Sequence, residues 1–292
     1  MRFIAVFCWL LTLIAQPAWA ATSPRLQGVE QQLAYLVAGA PANVGIAALD
    51  LRTGETVSIN GDQPFPMAST VKVAIAANYL SQVEHGRRGL TDMIGGQSAA
   101  SLLEAMLTHS DNHATDLVLK DLGGPQTVQA WLTQVGVAGL RIDRTIAQLL
   151  SDKRDLYDIR DSSTPMAMVD LLWRIDTGRL LMPSSRSYLL GLMSHCATGS
   201  NRIRGLLPPG TPVENKTGTL TGLTGDVGFI TLPDSTRIAI AIFARGGRRP
   251  MAPTIAQAAR TVYDGFTAAL TNPFATALRA PYGILQPSSQ AR

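Results

Sequence analysis

Ser69 and Lys72 stand three residues apart in "FPMASTVKVAIAANYL". On the opening turn of a helix, that spacing puts both side chains on one face, about a turn apart. A buried lysine sheds its proton readily and then accepts the proton of a serine hydroxyl, which activates the serine as a nucleophile. The apolar run after Lys72 predicts a buried helix, although Ser69 as a helix cap and Lys72 as a solvated charge would fit the four residues equally. A second polar group is Ser110-Asp111-Asn112, in "LLEAMLTHSDNHATDLVL". Its serine can relay a proton to a leaving nitrogen and its asparagine can hold a substrate amide, but the triplet also suits a helix N-cap. The third is Lys216-Thr217-Gly218, in "PVENKTGTLTG". A lysine and hydroxyls on a strand bind a carboxylate, and glycine admits a substrate to the backbone; the alternative is a strand ending in a turn.

The elements that must carry these groups are legible from periodicity. Residues 26–38 place Leu26, Val29, Leu33, Leu36 and Val37 on one helical face. "NVGIAALDLRTGETVSING" reads as two strands joined at Arg52-Thr53-Gly54. Helical patterning dominates from about Thr70 to Leu192, punctuated by Gly123-Gly124-Pro125 and Pro183. Strands return as "GDVGFITL" and "RIAIAIFAR", flanking Pro233-Asp234-Ser235, and a last helix spans roughly Pro253 to Leu270. The order predicts a sheet built from both ends of the chain with a helical lobe inserted between.

The chain has four lysines, at 72, 120, 153 and 216, and two of them occupy the two motif positions that require lysine. The order and spacing of the three motifs match those of class A β-lactamases and penicillin-binding proteins. Together with "LGGPQTVQAWL", "RDSSTP" and "ATGSNRIRGLLP", they make the sequence resemble the class A serine β-lactamase family over about Leu26 to Leu270. The resemblance implies an α+β, two-lobe fold: an antiparallel sheet with flanking terminal helices plus an inserted all-α lobe, with the active site between. The sheet lobe is expected at about 24–62 and 205–270, and the helical lobe at about 63–204. By the same resemblance Ser69 is the acylated nucleophile and Lys72 its proton acceptor. Ser110 relays the proton to the departing nitrogen, and Asn112 holds the acylamide side chain. Lys216, Thr217 and Thr219 line the carboxylate subsite, and the N–H groups of Ser69 and Thr219 form the oxyanion hole. Arg202, fourteen residues before Lys216, stands where some family members aim a guanidinium at the substrate carboxylate; Arg204 is then structural. Two surface arginines are the plainer reading.

Two departures stand out. The family's loop carries Glu-x-x-Leu-Asn shortly after an arginine, the glutamate activating the water that hydrolyses the acyl-enzyme. Here Arg144 and Asp161 resemble the loop-closing ion pair, and "IAQLL" falls on that pattern, with Ile146 for the glutamate and Leu150 for the asparagine. Isoleucine accepts no proton, and general-base catalysis contributes about 10²–10⁴-fold, so acylation survives and deacylation slows. Asp152, Asp155 or Asp158 could supply a substitute base, or they are solvated loop charges; an amine or peptide could also be the natural acceptor. The second departure is the short interval between Lys72 and Ser110, which omits the loop bearing the aromatic wall and predicts an open cleft.

The chain of 292 residues carries near its start Arg2, an apolar run from Phe3 to Ala15, and Ala18-Trp19-Ala20. That pattern predicts a secretory signal over 1–20 and a periplasmic protein, since the run is too short to span a membrane convincingly. Of two cysteines, Cys8 leaves with the signal and Cys196 has no intrachain partner. A net charge of +4 with no basic stripe excludes a nucleic-acid partner on compositional grounds. The tail from Thr271 is rich in Pro, Ser and Ala and is expected to be poorly ordered. His109 and His113 bracket Ser110-Asp111-Asn112 without a third ligand at characteristic spacing, so no metal or cofactor is expected. A monomer acting on a small β-lactam or a cell-wall peptide is expected. Three functions remain open: a β-lactam hydrolase, a penicillin-binding D,D-peptidase, and a noncatalytic receptor for β-lactams or muropeptides.

Overall fold

The computed structural model describes residue 24, residues 26–247 and residues 251–271. The expected signal segment and nearly all of the expected tail lie outside the described residues. The sheet lobe opens with α1 (Gln27–Ala38), β1 (Asn43–Asp50) and β2 (Thr56–Ile59). The chain then crosses through β3 (Phe65–Pro66) and a 3₁₀ turn (Ala68–Val71) into α2 (Lys72–Glu84). The helical lobe continues with β4 (Met93–Ile94), β5 (Gln97–Ser98), α3 (Ala99–Thr108), α4 (Asn112–Asp121), α5 (Pro125–Gln134) and α6 (Ile146–Ser151). It ends with β6 (Ser162–Ser163), α7 (Pro165–Asp176) and α8 (Pro183–Ser194). A second 3₁₀ turn (Ile203–Leu206) leads back into β7 (Val213–Leu220), β8 (Leu223–Thr231), β9 (Arg237–Arg245) and α9 (Ala252–Thr271).

The five long strands pair antiparallel in the order β2-β1-β9-β8-β7. The sheet is thus assembled from both ends of the chain, as the element order predicts, and β1 pairs with β9 along its whole length. Alternation along β1 sends Ile46 and Ala48 to one face and Ala47 and Leu49 to the other. The first face packs on α1 and α9 through Leu33, Val262 and Phe266. The second merges with the core of the helical lobe. Because both faces are covered, β9 reads as a nearly unbroken apolar run, with every residue from Ile238 to Arg245 buried. Burial on both faces also explains "VAIAANYL": every residue of α2 from Lys72 to Leu80 is buried.

The helical block departs from its expected pattern at three short strands, β4, β5 and β6. Strands β3 and β6 pair, and β4 and β5 form a hairpin around Gly95 and Gly96, both at positive φ. Two-residue strands present too few positions to show a period. No helix among the described residues is long and apolar enough to cross a membrane.

Candidate active site

Ser69 sits in the 3₁₀ turn, half-buried, and Lys72 opens α2 fully buried. Ala68 holds a φ of 49°, a strained conformation for a residue with a Cβ, one position before the serine. Strand β7 presses against this turn. A Cβ on Gly218 would lie 2.5 Å from the Met67 carbonyl oxygen, so only glycine allows the approach. That contact seats β7, which carries Lys216 to Thr219, against the turn that holds Ser69.

Asp111 caps α4, its carboxylate accepting the Ala114 N–H at 2.6 Å. The cap and the chemistry coexist: Asp111 makes the cap, while Ser110, at φ 59°, and Asn112 both meet Lys72. Lys72 Nζ donates to the Ser110 carbonyl oxygen at 2.7 Å, to Asn112 Oδ1 at 2.8 Å and to Ser110 Oγ at 3.3 Å. Lys216 Nζ donates to the same Ser110 Oγ at 2.9 Å and to the Thr217 carbonyl oxygen at 3.0 Å. All three motifs therefore converge, with the Ser110 hydroxyl between two buried lysines. Ser69 Oγ has no hydrogen-bond partner among the described residues.

Burial, aided by the nearby charge of Lys216, lowers the Lys72 pKa to about 7, against the opposing pull of Asp111 and Asp116. Lys216 is lowered to about 8, chiefly by burial and also by Arg202, while Cys196 and Asp226 oppose the shift. Each ammonium is thus poised near neutrality, where a base must be to accept and release a proton.

Arg202 Nη1 donates to the carbonyl oxygens of Gly218 at 3.0 Å and Gly225 at 2.8 Å, and Nη2 to Thr219 Oγ1 at 2.6 Å. Its guanidinium lies along β7 beside Thr219, not free on the surface. Thr217 Oγ1 meets Thr198 Oγ1 at 2.5 Å, and Thr198 in turn meets the buried Cys196 Sγ at 3.4 Å. Arg204 binds Asn215 Oδ1 and the carbonyl oxygens of Ser194 and Val213, a purely internal set. The sequence reading missed Thr198, Asn215 and Asp226. Asp226 offered a signal, being an acidic residue in the middle of an apolar strand.

The loop between Arg144 and Asp161 is closed by their ion pair, Arg144 Nε to Asp161 Oδ2 at 2.6 Å. Arg144 also pairs with Asp152 at 2.9 Å and Asp158 at 3.4 Å, and Asp158 pairs with Arg160 at 2.7 Å. Asp155 accepts the Tyr157 N–H at 2.8 Å. "IAQLL" forms the short helix α6, with a capping box between Thr145 and Gln148. The Asp116 carboxylate accepts the N–H groups of Ile146 and Ala147 at 2.7 and 2.9 Å. Ile146 is buried in the helical-lobe core, and Leu150 is exposed.

A family model described as the beta-lactamase enzyme family matches residues 28–266. The chain belongs to the class A serine β-lactamase family. It is 29% identical over 277 residues to the extended-spectrum beta-lactamase PER-1 of Pseudomonas aeruginosa, covering 84% of this chain and 88% of that one. The carbapenem-hydrolyzing beta-lactamase KPC of Klebsiella oxytoca is 27% identical over 288 residues, covering 90% of this chain and 96% of KPC. Among solved structures, the last common ancestor of Gram-negative bacteria class A beta-lactamase (GNCA4) superposes with a TM-score of 0.77 at 33% identity, covering 82% of this chain and 99% of that one. This family member is accordingly a serine hydrolase of the β-lactamase type, with the family's two-lobe α+β fold. Among its described residues no three His, Cys, Asp or Glu side chains group to hold a metal ion.

Proposed function

We propose that this β-lactamase-family protein is acylated by β-lactams at Ser69 and releases the acyl group slowly. In this reading Lys72, as the neutral amine, takes the Ser69 proton while Oγ attacks the lactam carbonyl. The N–H groups of Ser69 and Thr219 receive the oxyanion. Ser110 passes a proton to the departing nitrogen and is resupplied from the lysines on either side of it. Lys216, Thr217, Thr219 and Arg202 receive the substrate carboxylate, and Asn112 receives the acylamide oxygen. The expected signal segment would deliver the protein to the periplasm, where β-lactams are met.

The observation that carries slow deacylation is the environment of Ile146. An aliphatic side chain stands where the family's loop supplies a base, and it is buried in the core. The other loop carboxylates are engaged elsewhere: Asp152 and Asp158 with Arg144, and Asp155 with its own turn. A second reading, a penicillin-binding D,D-peptidase or receptor for cell-wall peptides, draws support from the minimal β4–β5 hairpin. Residues 86–109 contain no Phe, Tyr or Trp, an absence that fits a cleft open to a larger ligand.

Intact-protein mass followed over time, with a penicillin and a carbapenem, tests the proposal beside a Ser69→Ala control. An adduct that persists for hours on the wild type alone supports it. An adduct that forms and clears while drug is consumed removes the slow step, and no adduct with either drug removes the acyl-enzyme reading.

A further inference from the structure

Asp226 lies in the middle of β8, opposite Thr217 in the β7–β8 register, with no exposed surface. An ionised carboxylate in that position needs a structural reason, since burial disfavours its charge. Its oxygens accept the Asn215 side-chain amide at 2.9 and 3.1 Å, and Oδ2 also accepts the Ile203 backbone N–H at 3.1 Å. Asn215 is oriented in turn by Arg204, whose Nε donates to its Oδ1 at 2.9 Å. A buried hydrogen-bond chain thus runs from Arg204 through Asn215 to Asp226 and ends on the amide that follows Arg202.

The same strand grips the other end of Arg202. Gly225, the residue before Asp226, supplies the carbonyl oxygen that holds Arg202 Nη1 at 2.8 Å. Arg202 is therefore fixed at its backbone by the Asp226 side chain and at its guanidinium by the neighbouring main chain. Arg202 itself departs from regular geometry, with φ −102° and ψ −119°, so the turn that begins there relies on the anchored amide. The Asp226 charge also opposes the lowering of proton affinity that burial imposes on both Arg202 and Lys216.

We infer that Asp226 is the positioning residue that holds Arg202 in place for a substrate carboxylate. This rests on the reading that Arg202 binds that carboxylate. It assigns to a buried aspartate that touches no substrate the selectivity of the site for anionic over neutral acyl donors.

The test compares acylation rates, read by intact mass, for a penicillin and its methyl ester, on the full mature chain. Arg202→Ala should slow acylation by the free acid about 10- to 100-fold more than it slows acylation by the ester, the excess being the range of a lost charge-assisted hydrogen-bond set. Asp226→Asn should show the same selective loss and add nothing in the Arg202→Ala background. Arg204→Gln cuts the chain at its half-buried end and should give a smaller loss of the same kind; it carries the test if Asp226→Asn does not fold. Equal slowing of acid and ester by both the Asp226 and Arg204 variants overturns the inference, as does a full additional loss on top of Arg202→Ala. The two readings fail distinguishably. Equal slowing by Arg202→Ala alone removes the carboxylate role of Arg202 and this inference with it. A selective Arg202→Ala beside unselective Asp226 and Arg204 variants removes this inference only.

Discussion

Lys216 and Lys72 meet at one oxygen: the Ser110 hydroxyl lies 2.9 Å from Lys216 Nζ and 3.3 Å from Lys72 Nζ. Two buried ammonium groups around a single hydroxyl repel each other, and that repulsion adds to burial in lowering the proton affinity of Lys72. The proposed chemistry needs the two lysines in opposite states, one neutral to accept the serine proton and one charged to hold a carboxylate.

A narrow pH window follows for acylation. The neutral fraction of Lys72 grows as pH rises through about 7, so the acylation rate constant should climb there. The charge of Lys216 fades as pH passes about 8, so capture of an anionic substrate should weaken above it. The profile of second-order acylation should be a bell with its maximum between these values, the two limbs being macroscopic properties of the coupled pair. Lys216→Arg, which keeps its charge at all these pH values, should move the alkaline limb alone. A flat profile from pH 6 to 9 would remove Lys72 as the base.

Returning a base to the loop should restore the second half-reaction. Ile146→Glu combined with Leu150→Asn should speed deacylation by about 10²-fold, the lower end of what a positioned general base contributes. Acylation should change much less. The cost is a buried aliphatic group, about 2 kcal/mol of stability, so the denaturation midpoint should be followed alongside the decay of the penicilloyl adduct. An adduct lifetime unchanged in a folded double variant would place the block outside Ile146 and Leu150.

Gly218→Ala tests the seat of the nucleophile. Its Cβ would meet the Met67 carbonyl oxygen at 2.5 Å, and Thr70 Cγ2 and Ala68 Cβ at 3.0 and 3.3 Å. The backbone must yield, which should shift Thr219 relative to the turn that carries Ser69. Loss of one oxyanion donor is worth about 10²–10³-fold, so acylation should fall by that order while the far-ultraviolet circular dichroism spectrum holds. Acylation at the wild-type rate would show that Thr219 N–H is not a donor in the hole.

What the sequence determined by itself was local. The Ser69–Lys72 spacing, the apolar run after it, the periodic faces of α1 and α9 and the strands β1, β8 and β9 were legible because each depends on residues within a turn or a strand of one another. The loop pair Arg144–Asp161 was legible from a motif. The tertiary structure alone decided the rest, for one physical reason: buried polar groups must find partners, and the partners come from distant segments. Asp116 caps the turn at Ile146 from thirty residues away, Lys216 reaches Ser110 across more than a hundred, and Asp226 steadies Arg202 through a strand register that no local pattern encodes. Even "IAQLL" illustrates the division. Its sequence tells that no base is present at Ile146; only the packing of α6 on α4, and the ties that hold Asp152 and Asp158 to Arg144, tell that the neighbouring loop carboxylates are already engaged.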